Sequence, residues 1–324
     1  MLHGKQTVGL VPTMGALHSG HLDLIRMAAR ENNFVYVSIY VNPTQFGVNE
    51  DLSSYPRTWD HDLQKLRELC LEFIRDSKMG QISAVFSPST SDMYPGLPPT
   101  SEIDGEGSFV TITPLSNILE GASRPVFFRG VSTVCMKLLN IIQPERVYFG
   151  QKDIQQTAVV KQMVRDFHIN TQVRVGPTAR EHDGLALSSR NVYLGKRRRD
   201  MAPVLIASLQ AAQQVYAEGR RTRSEVLAAA YDLLSSVEES QRSLPPSQRA
   251  MFEVDYISFA DPHTLTEIEE VPKHGAVLSG AIKMLPIEEP QEGEDTGVGG
   301  GTSPVRLIDN IYLDIFSSIV GKIS

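Results

Sequence analysis

Two histidines three apart, His18 and His21, are the strongest hint of chemistry in this chain. They flank Gly20 in Thr13-Met14-Gly15-Ala16-Leu17-His18-Ser19-Gly20-His21. Val8, Leu10 and Val11 form a short apolar run of strand length, punctuated by Pro12 and Gly15. From Leu22 onward, Leu22, Ile25, Ala28 and Ala29 recur at helical spacing, so a helix starts near His18 to His21. Strand, glycine turn and helix start thus put two imidazoles at a helix N-terminus. Free backbone N–H groups and the positive dipole end favour phosphate there. Gly20 carries no side chain to block a close approach. A solvated helix start is the plain alternative. Zinc accounts for the pair less well, because no third ligand stands nearby at a known spacing.

Three further stretches end in polar tips. Phe34 to Val41 reads as a buried parallel strand running into Asn42-Pro43-Thr44-Gln45. Ligands of open α/β sheets bind at that carboxyl edge, so Asn42 and Gln45 are candidates for a small polar substrate. Ordinary turn chemistry explains an Asn before Pro equally well. Arg146 to Phe149 is a strand ending in Gly150-Gln151-Lys152-Asp153, with a helix through Val159, Val160, Met163 and Phe167 behind it. Lys152 would hold phosphate as a point charge, although a lone Gly-x-Lys is usually a solvated lysine. After a strand at Gln172 to Val175, Ser188-Ser189-Arg190 forms a compact donor cluster for a triphosphate, or a surface turn. No G-x-x-x-x-G-K-[ST] occurs, which excludes a P-loop NTPase as far as motifs can.

The elements that must position these tips alternate strand and helix. A helix carries Leu63, Leu66, Leu69, Cys70 and Phe73, with Asp60 and Asp62 in its first turn to complement the dipole. Ile82 to Phe86 is a strand, 96–108 a surface connection, Phe109 to Thr113 another strand, and Ser132 to Ile142 an apolar helix. Beyond Val192 the composition changes: Lys196 to Arg199 reads as a solvated helix entrance, followed by helices over about 200–217 and 222–240. Strands near 253–259, 276–284 and 305–310 indicate a small α+β domain. Residues 286–303, rich in Glu, Gly and Pro, are expected to be a disordered acidic insertion.

At 324 residues, 41% hydrophobic and 21% charged, the chain can bury a substantial core. Its net charge of −7 argues against a nucleic-acid partner, and no apolar run reaches membrane-spanning length. Residues 1–6 hold no apolar signal region, and Cys70 and Cys135 read as reduced core residues, so a cytoplasmic protein is expected.

The order strand, glycine turn, H-x-G-H, helix resembles the signature of the nucleotidyltransferase superfamily. The likeness then extends along nearly the whole chain to the pantothenate synthetase family. It is carried by VGLVPTMGALHSGHLDLI from Val8, VSIYVNPTQFG from Val37, YPRT from Tyr55, FSPSTSDMYP from Phe86 and FRGVSTV from Phe128. PERVYFGQKDIQQ from Pro144, DGLALSSRNVYL from Asp183, VDYISFADP from Val254 and RLIDN from Arg306 complete it. The resemblance implies an α/β fold: a Rossmann-like ATP- and pantoate-binding domain over 1–185 and a smaller α+β C-terminal lid over 186–324. It implies a two-step ligation in which ATP adenylates the pantoate carboxylate and β-alanine then displaces AMP. Met14, Gly15, His18, Gly20 and His21 would form the nucleotide turn, with His21 as the family's proton donor. Gly150, Gln151, Lys152 and Asp153 would contact ATP, as would Ala179 and Leu187. Ser188, Ser189 and Arg190 would clamp the triphosphate. Gln45 and Gln156, with Asn42 beside the first, would bind pantoate. Mg²⁺ would be held by phosphate oxygens without a dedicated protein cage, and the family's homodimer is expected.

The chain departs from the family in places. Val126-Phe127 stands where Gly-His usually precedes the Phe of FRGV, and the helix that often precedes the first strand is missing. The 286–303 segment replaces a short turn, and Ile311 to Ser324 runs past the usual end. Two other readings stay open on the residues: an H-x-G-H nucleotidyltransferase that stops after nucleotide transfer, and a nucleotide-binding protein that has lost activity.

Overall fold

A computed structural model describes residues 6–48, 50–95 and 106–313. Most of the 96–108 connection and the segment beyond Leu313 lie outside those residues. The chain divides into two compact units, Met1–Ala179 and Arg180–Ser324.

The first unit is built on a parallel sheet of order β3-β2-β1-β4-β5. Its strands are β1 (Val8–Thr13), β2 (Phe34–Ile39), β3 (Gln81–Phe86), β4 (Arg146–Gly150) and β5 (Gln172–Gly176). β1 lies between β2 and β4, with Val8 opposite Phe34 and Gly9 opposite Arg146. Its loop therefore opens beside those of both neighbours, at the point where strand order reverses and ligands of such sheets collect. The helices are α1 (Ser19–Glu31), α2 (Trp59–Arg75), the single turns α3 (Thr90–Met93) and α4 (Glu120–Ser123), α5 (Phe127–Ile142) and α6 (Ile154–Asp166). One apolar cluster joins Val11, Ile25, Ala28, Val35, Val37, Leu66, Leu69 and Phe73, which fixes α1 and α2 against β1 and β2.

Two local expectations change. Phe109 to Thr113 forms no strand, because its polar groups turn to α5: Val110 N–H donates to Thr133 Oγ1 at 2.9 Å, and the Arg129 guanidinium stacks on the Phe109 ring. α5 begins at Phe127, ahead of Ser132, and includes Gly130. A Cβ on Gly130 would stand 2.5 Å from both Gln45 N and Thr44 O. Only glycine lets the helix backbone lie that close to the loop after β2.

The second unit packs α8 (Val204–Ala217) and α9 (Arg223–Arg242), preceded by α7 (Gly195–Met201), on an antiparallel sheet of order β6-β7-β8. These strands are β6 (Phe252–Ala260), β7 (Ala276–Met284) and β8 (Val305–Leu313). Leu205, Leu209, Ala212, Val226, Phe259, Leu278 and Ile282 form its core. The segment Arg180–Leu185, placed ahead of the boundary in the sequence reading, belongs here. Leu185 packs in that core, and Arg180 donates to both carboxylate oxygens of Asp309 at 2.6 and 2.8 Å.

Residues 286–303 follow a defined path where the composition predicts disorder. The reason lies in α7, whose basic run is not simply solvated. Arg198 is buried and donates to the backbone carbonyls of Leu194, Tyr193, Ser303 and Thr296. Arg197 pairs with Glu294 at 2.5 Å, Arg249 with Glu288, and Lys196 N–H donates to Asp295 O. Glu294 is held by Arg197 of the basic helix and Glu288 by Arg249 ahead of β6, so acidic side chains that composition counts as solvating are paired with arginines distant in sequence. Removing the central guanidinium leaves buried carbonyls unpaired. Arg198→Ala is expected to cost about 3 kcal/mol of unfolding free energy and to make 286–303 the first site of limited proteolysis. A urea midpoint and cleavage pattern matching the parent chain would contradict this role.

Candidate active site

The turn after β1 is held from the side by one carboxylate. Gly15 and Ala16 both take positive φ, 84° and 49°, so the chain reverses tightly and points its N–H groups inward. Asp62, in the first turn of α2, is buried and accepts from Ala16 N–H at 2.9 Å and Leu17 N–H at 2.8 Å. Thr58 Oγ1 donates to the same carboxylate at 3.1 Å, and Lys65 Nζ donates to Leu17 O. Sequence reasoning treats Asp62 as a dipole-complementing residue, yet it is what holds the turn. Its acidic position at the start of a helix hides the role.

Beyond this turn His18 caps α1, and His21 lies one turn in. Their ring centroids are 4.0 Å apart. His18 N–H donates to His21 Nδ1 at 3.4 Å, which places the His21 ring proton on Nε2, the atom left to donate to a ligand. A Cβ on Gly20 would stand 3.0–3.2 Å from the His18 ring and the Ala179 Cβ, so the imidazole lies directly over the glycine with Ala179 beside it. Burial, with Lys152 and Lys65 nearby, lowers the pKa of His18 to about 4. Burial, His18 and the same lysines put His21 well below the ordinary imidazole value. Both rings are therefore neutral at pH 7 and act as N–H donors.

Lys152 stands in a 3₁₀ turn, Gln151–Asp153, directly after β4, its ammonium 3.1 Å from Asp153 Oδ1. The next two glutamines divide their duties. Gln155 is buried, accepts from Glu120 N–H and donates to Leu115 O and Ile118 O. Gln156 is partly exposed and makes no side-chain hydrogen bond among the described residues. In the loop after β2, Gln45 is buried with its Nε2 3.3 Å from Met14 Sδ. The first unit thus gathers Met14, Gly15, His18, Gly20, His21 and Ala179 around the α1 N-terminus, with Lys152 close enough to perturb both histidines. Leu187 to Arg190 lie in the second unit. There Ser188 Oγ accepts from Arg190 N–H at 3.2 Å and opens a 3₁₀ turn over Ser189–Tyr193.

Val126 and Phe127, the departure from the family pattern, are buried. The Arg124 guanidinium lies 3.8 Å from the Phe127 ring centroid and pairs with Glu50 and Glu120 at 2.5 and 2.9 Å. An aromatic platform under a fixed guanidinium fills the place where the family usually has a histidine.

Because the folded histidines have depressed pKa values, unfolding takes up protons below the ordinary imidazole pKa of 6.5. Their contribution to stability is whole above pH 6.5 and is lost as pH falls toward about 4. Urea midpoints measured from pH 7 to 4.5 should fall, and the His18→Gln/His21→Gln chain should fall less. Equal slopes would mean the rings titrate normally in the folded protein.

Comparison with known proteins identifies the family of the chain. The family model described as pantoate-beta-alanine ligase matches residues 1–312. A pantothenate synthetase of Chloroflexus aggregans is 44% identical over 306 residues, 94% of this chain and 93% of that protein. The pantoate–β-alanine ligase of Saccharomyces cerevisiae is 38% identical over 95% of this chain and 93% of its own. The crystal structure of pantothenate synthetase from Thermus thermophilus superposes with a TM-score of 0.75 at 37% identity, covering 95% of this chain and 94% of that one. That of the Francisella tularensis ligase, complexed with beta-gamma ATP and β-alanine, gives 0.62 at 31% identity over 96% and 91%. The chain belongs to the pantoate–β-alanine ligase family.

Proposed function

We propose that this chain condenses pantoate with β-alanine using ATP, through a pantoyl adenylate, and releases pyrophosphate and AMP. The observation that carries the reading is the partly buried, neutral His18–His21 pair at the α1 N-terminus with the Lys152 ammonium nearby. A carboxylate resists attack by an amine until one oxygen becomes a good leaving group. In the first step a pantoate carboxylate oxygen bonds to the α-phosphorus as its bond to the bridging oxygen breaks. Charge builds on the phosphorus oxygens and on the departing pyrophosphate. Desolvated N–H donors fixed before the reaction stabilise that charge far better than water does. His21 Nε2–H, His18 and Lys152 are assigned to the phosphates, with Met14, Gly15 and Gly20 lining the nucleotide turn. Since desolvation and the neighbouring lysines disfavour imidazolium, His21 acts first as a neutral hydrogen-bond donor and only secondarily as a proton source.

In the second step the free amine of β-alanine attacks the acyl carbonyl, AMP leaves with its electron pair, and the new amide nitrogen gives up a proton. Gly150, Gln151, Asp153, Ala179 and Leu187 are assigned to ATP. Ser188, Ser189 and Arg190 are assigned to its phosphates, and Gln45 and Gln156 to pantoate. Among the described residues no group of three or more His, Cys, Asp or Glu side chains could hold a metal ion. Mg²⁺ is assigned from the family resemblance to the ATP phosphates, as part of the nucleotide substrate. A homodimer and a cytoplasmic location are proposed from the family resemblance. Among the described residues no helix is long and apolar enough to cross a membrane.

AMP release measured from ATP in Mg²⁺ buffer should require both pantoate and β-alanine. Pyrophosphate release indifferent to β-alanine would point to a nucleotidyltransferase, and ATP binding without turnover to a lapsed enzyme. His21→Ala should lower kcat by about 10²–10³-fold while changing ATP affinity only a few-fold. Equal losses in both would make His21 a binding residue only.

A further inference from the structure

Asn42 has no hydrogen-bonding capacity left for a substrate. Its side chain is buried, at 2% exposure, and Nδ2 donates to Gly130 O at 3.2 Å and to Gln45 Oε1 at 3.1 Å. Its Oδ1 accepts from Tyr94 Oη at 2.7 Å and from Thr44 Oγ1 at 3.1 Å. Two donors and two acceptor sites are the whole inventory of an amide. The chemistry of the partners also fixes which end is which. A backbone carbonyl can only accept, so the atom facing Gly130 O must be the nitrogen, and Oδ1 must face the two hydroxyls. The same logic passes to the next amide. Gln45 meets Asn42 Nδ2 with its oxygen, so its nitrogen is the end turned away, and that nitrogen's neighbour is Met14 Sδ, a weak acceptor.

We propose that Tyr94 is a positioning residue for the acid substrate: through Asn42 it locks the Gln45 amide so that Nε2, a donor, faces the ligand. Asn42 is then reassigned from a direct contact to the middle of this relay. The inference rests on the ligase reading above and deepens it, because a fixed donor at Gln45 selects substrate oxygens that accept, namely carboxylate or hydroxyl. Tyr94 is itself held in place. Its ring lies 4.5 Å from Lys137 Nζ, which donates to Met93 O, and its hydroxyl also meets Thr44 Oγ1 at 2.9 Å. Burial pushes the phenol pKa up to about 12, so the hydroxyl keeps its proton and can donate throughout the physiological range. Gly130 contributes twice, as the carbonyl that sets the first amide and as the close backbone contact that brings α5 to the loop.

The test is a double-mutant cycle on kcat/KM for pantoate, using Tyr94→Phe, Gln45→Ala and the double variant, with melting temperatures and ATP KM measured alongside. Tyr94→Phe removes the shorter of the two hydroxyl donors to Asn42 Oδ1 and leaves Thr44 Oγ1 and Gly130 O in contact with the amide. It should raise pantoate KM by about tenfold, the effect of one neutral hydrogen bond at its upper range, with kcat and ATP KM within about twofold. In the Gln45→Ala background the same substitution should have no further effect, since nothing remains to orient. An equal effect in both backgrounds, a parallel rise in ATP KM, or no effect in the parent would overturn the proposal. Parent-chain turnover with pantoate and β-alanine, measured first, separates a failure of the relay from a failure of the ligase reading.

Discussion

The carboxylate of Asp62 is the constraint on which the turn after β1 and the start of α1 depend. A turn with two successive positive-φ residues, Gly15 and Ala16, is costly and persists only when its surroundings specify it. Asp62 does so by accepting the N–H groups of Ala16 and Leu17, which the reversal would otherwise bury unpaired. The start of α1 inherits the geometry of the turn. His18 arrives at the N-cap, His21 stacks on it, and Gly20 leaves room for the ring. The sheet supplies the remaining registration, because β1 lies between the strands that carry Lys152 and Gln45 on their loops.

Burial then makes chemistry from geometry. Two imidazoles driven into a desolvated site beside lysines stay neutral, and neutral donors with few competing waters are suited to charge that develops only during reaction. Nearby, the loop after β2 is governed by a different kind of constraint: amides whose partners leave one orientation each. One part of the site is tuned by electrostatics and the other by hydrogen-bond inventory.

Much of this was legible in the residues. His18 and His21 announce themselves because a strand-length apolar run, a glycine turn and helical spacing succeed one another within about twenty residues. Gln45 and Lys152 are found by the same logic, polar tips at carboxyl ends of strands. Asp62 is not, because an acidic residue in a first helical turn has a sufficient local explanation. Tyr94 lies in FSPSTSDMYP with nothing local to single it out, and its partner Asn42 is 52 residues away. Composition misleads at 286–303, where Glu288 and Glu294 are held by arginines far off in sequence. Periodicity misleads at Phe109 to Thr113, whose hydrogen bonding goes to a helix side chain. In each of these misses the deciding partner is non-local.

The most direct measurement is single-turnover pyrophosphate formation by Asp62→Asn, with ATP affinity determined calorimetrically on the same protein. An amide can accept from one of the two turn N–H groups but must turn its own donors toward the other. The account predicts pyrophosphate formation slowed by about 100-fold and ATP bound about tenfold more weakly, in a chain that still folds. Unchanged adenylation in that variant would show that the turn holds itself, and that the histidines do not depend on Asp62.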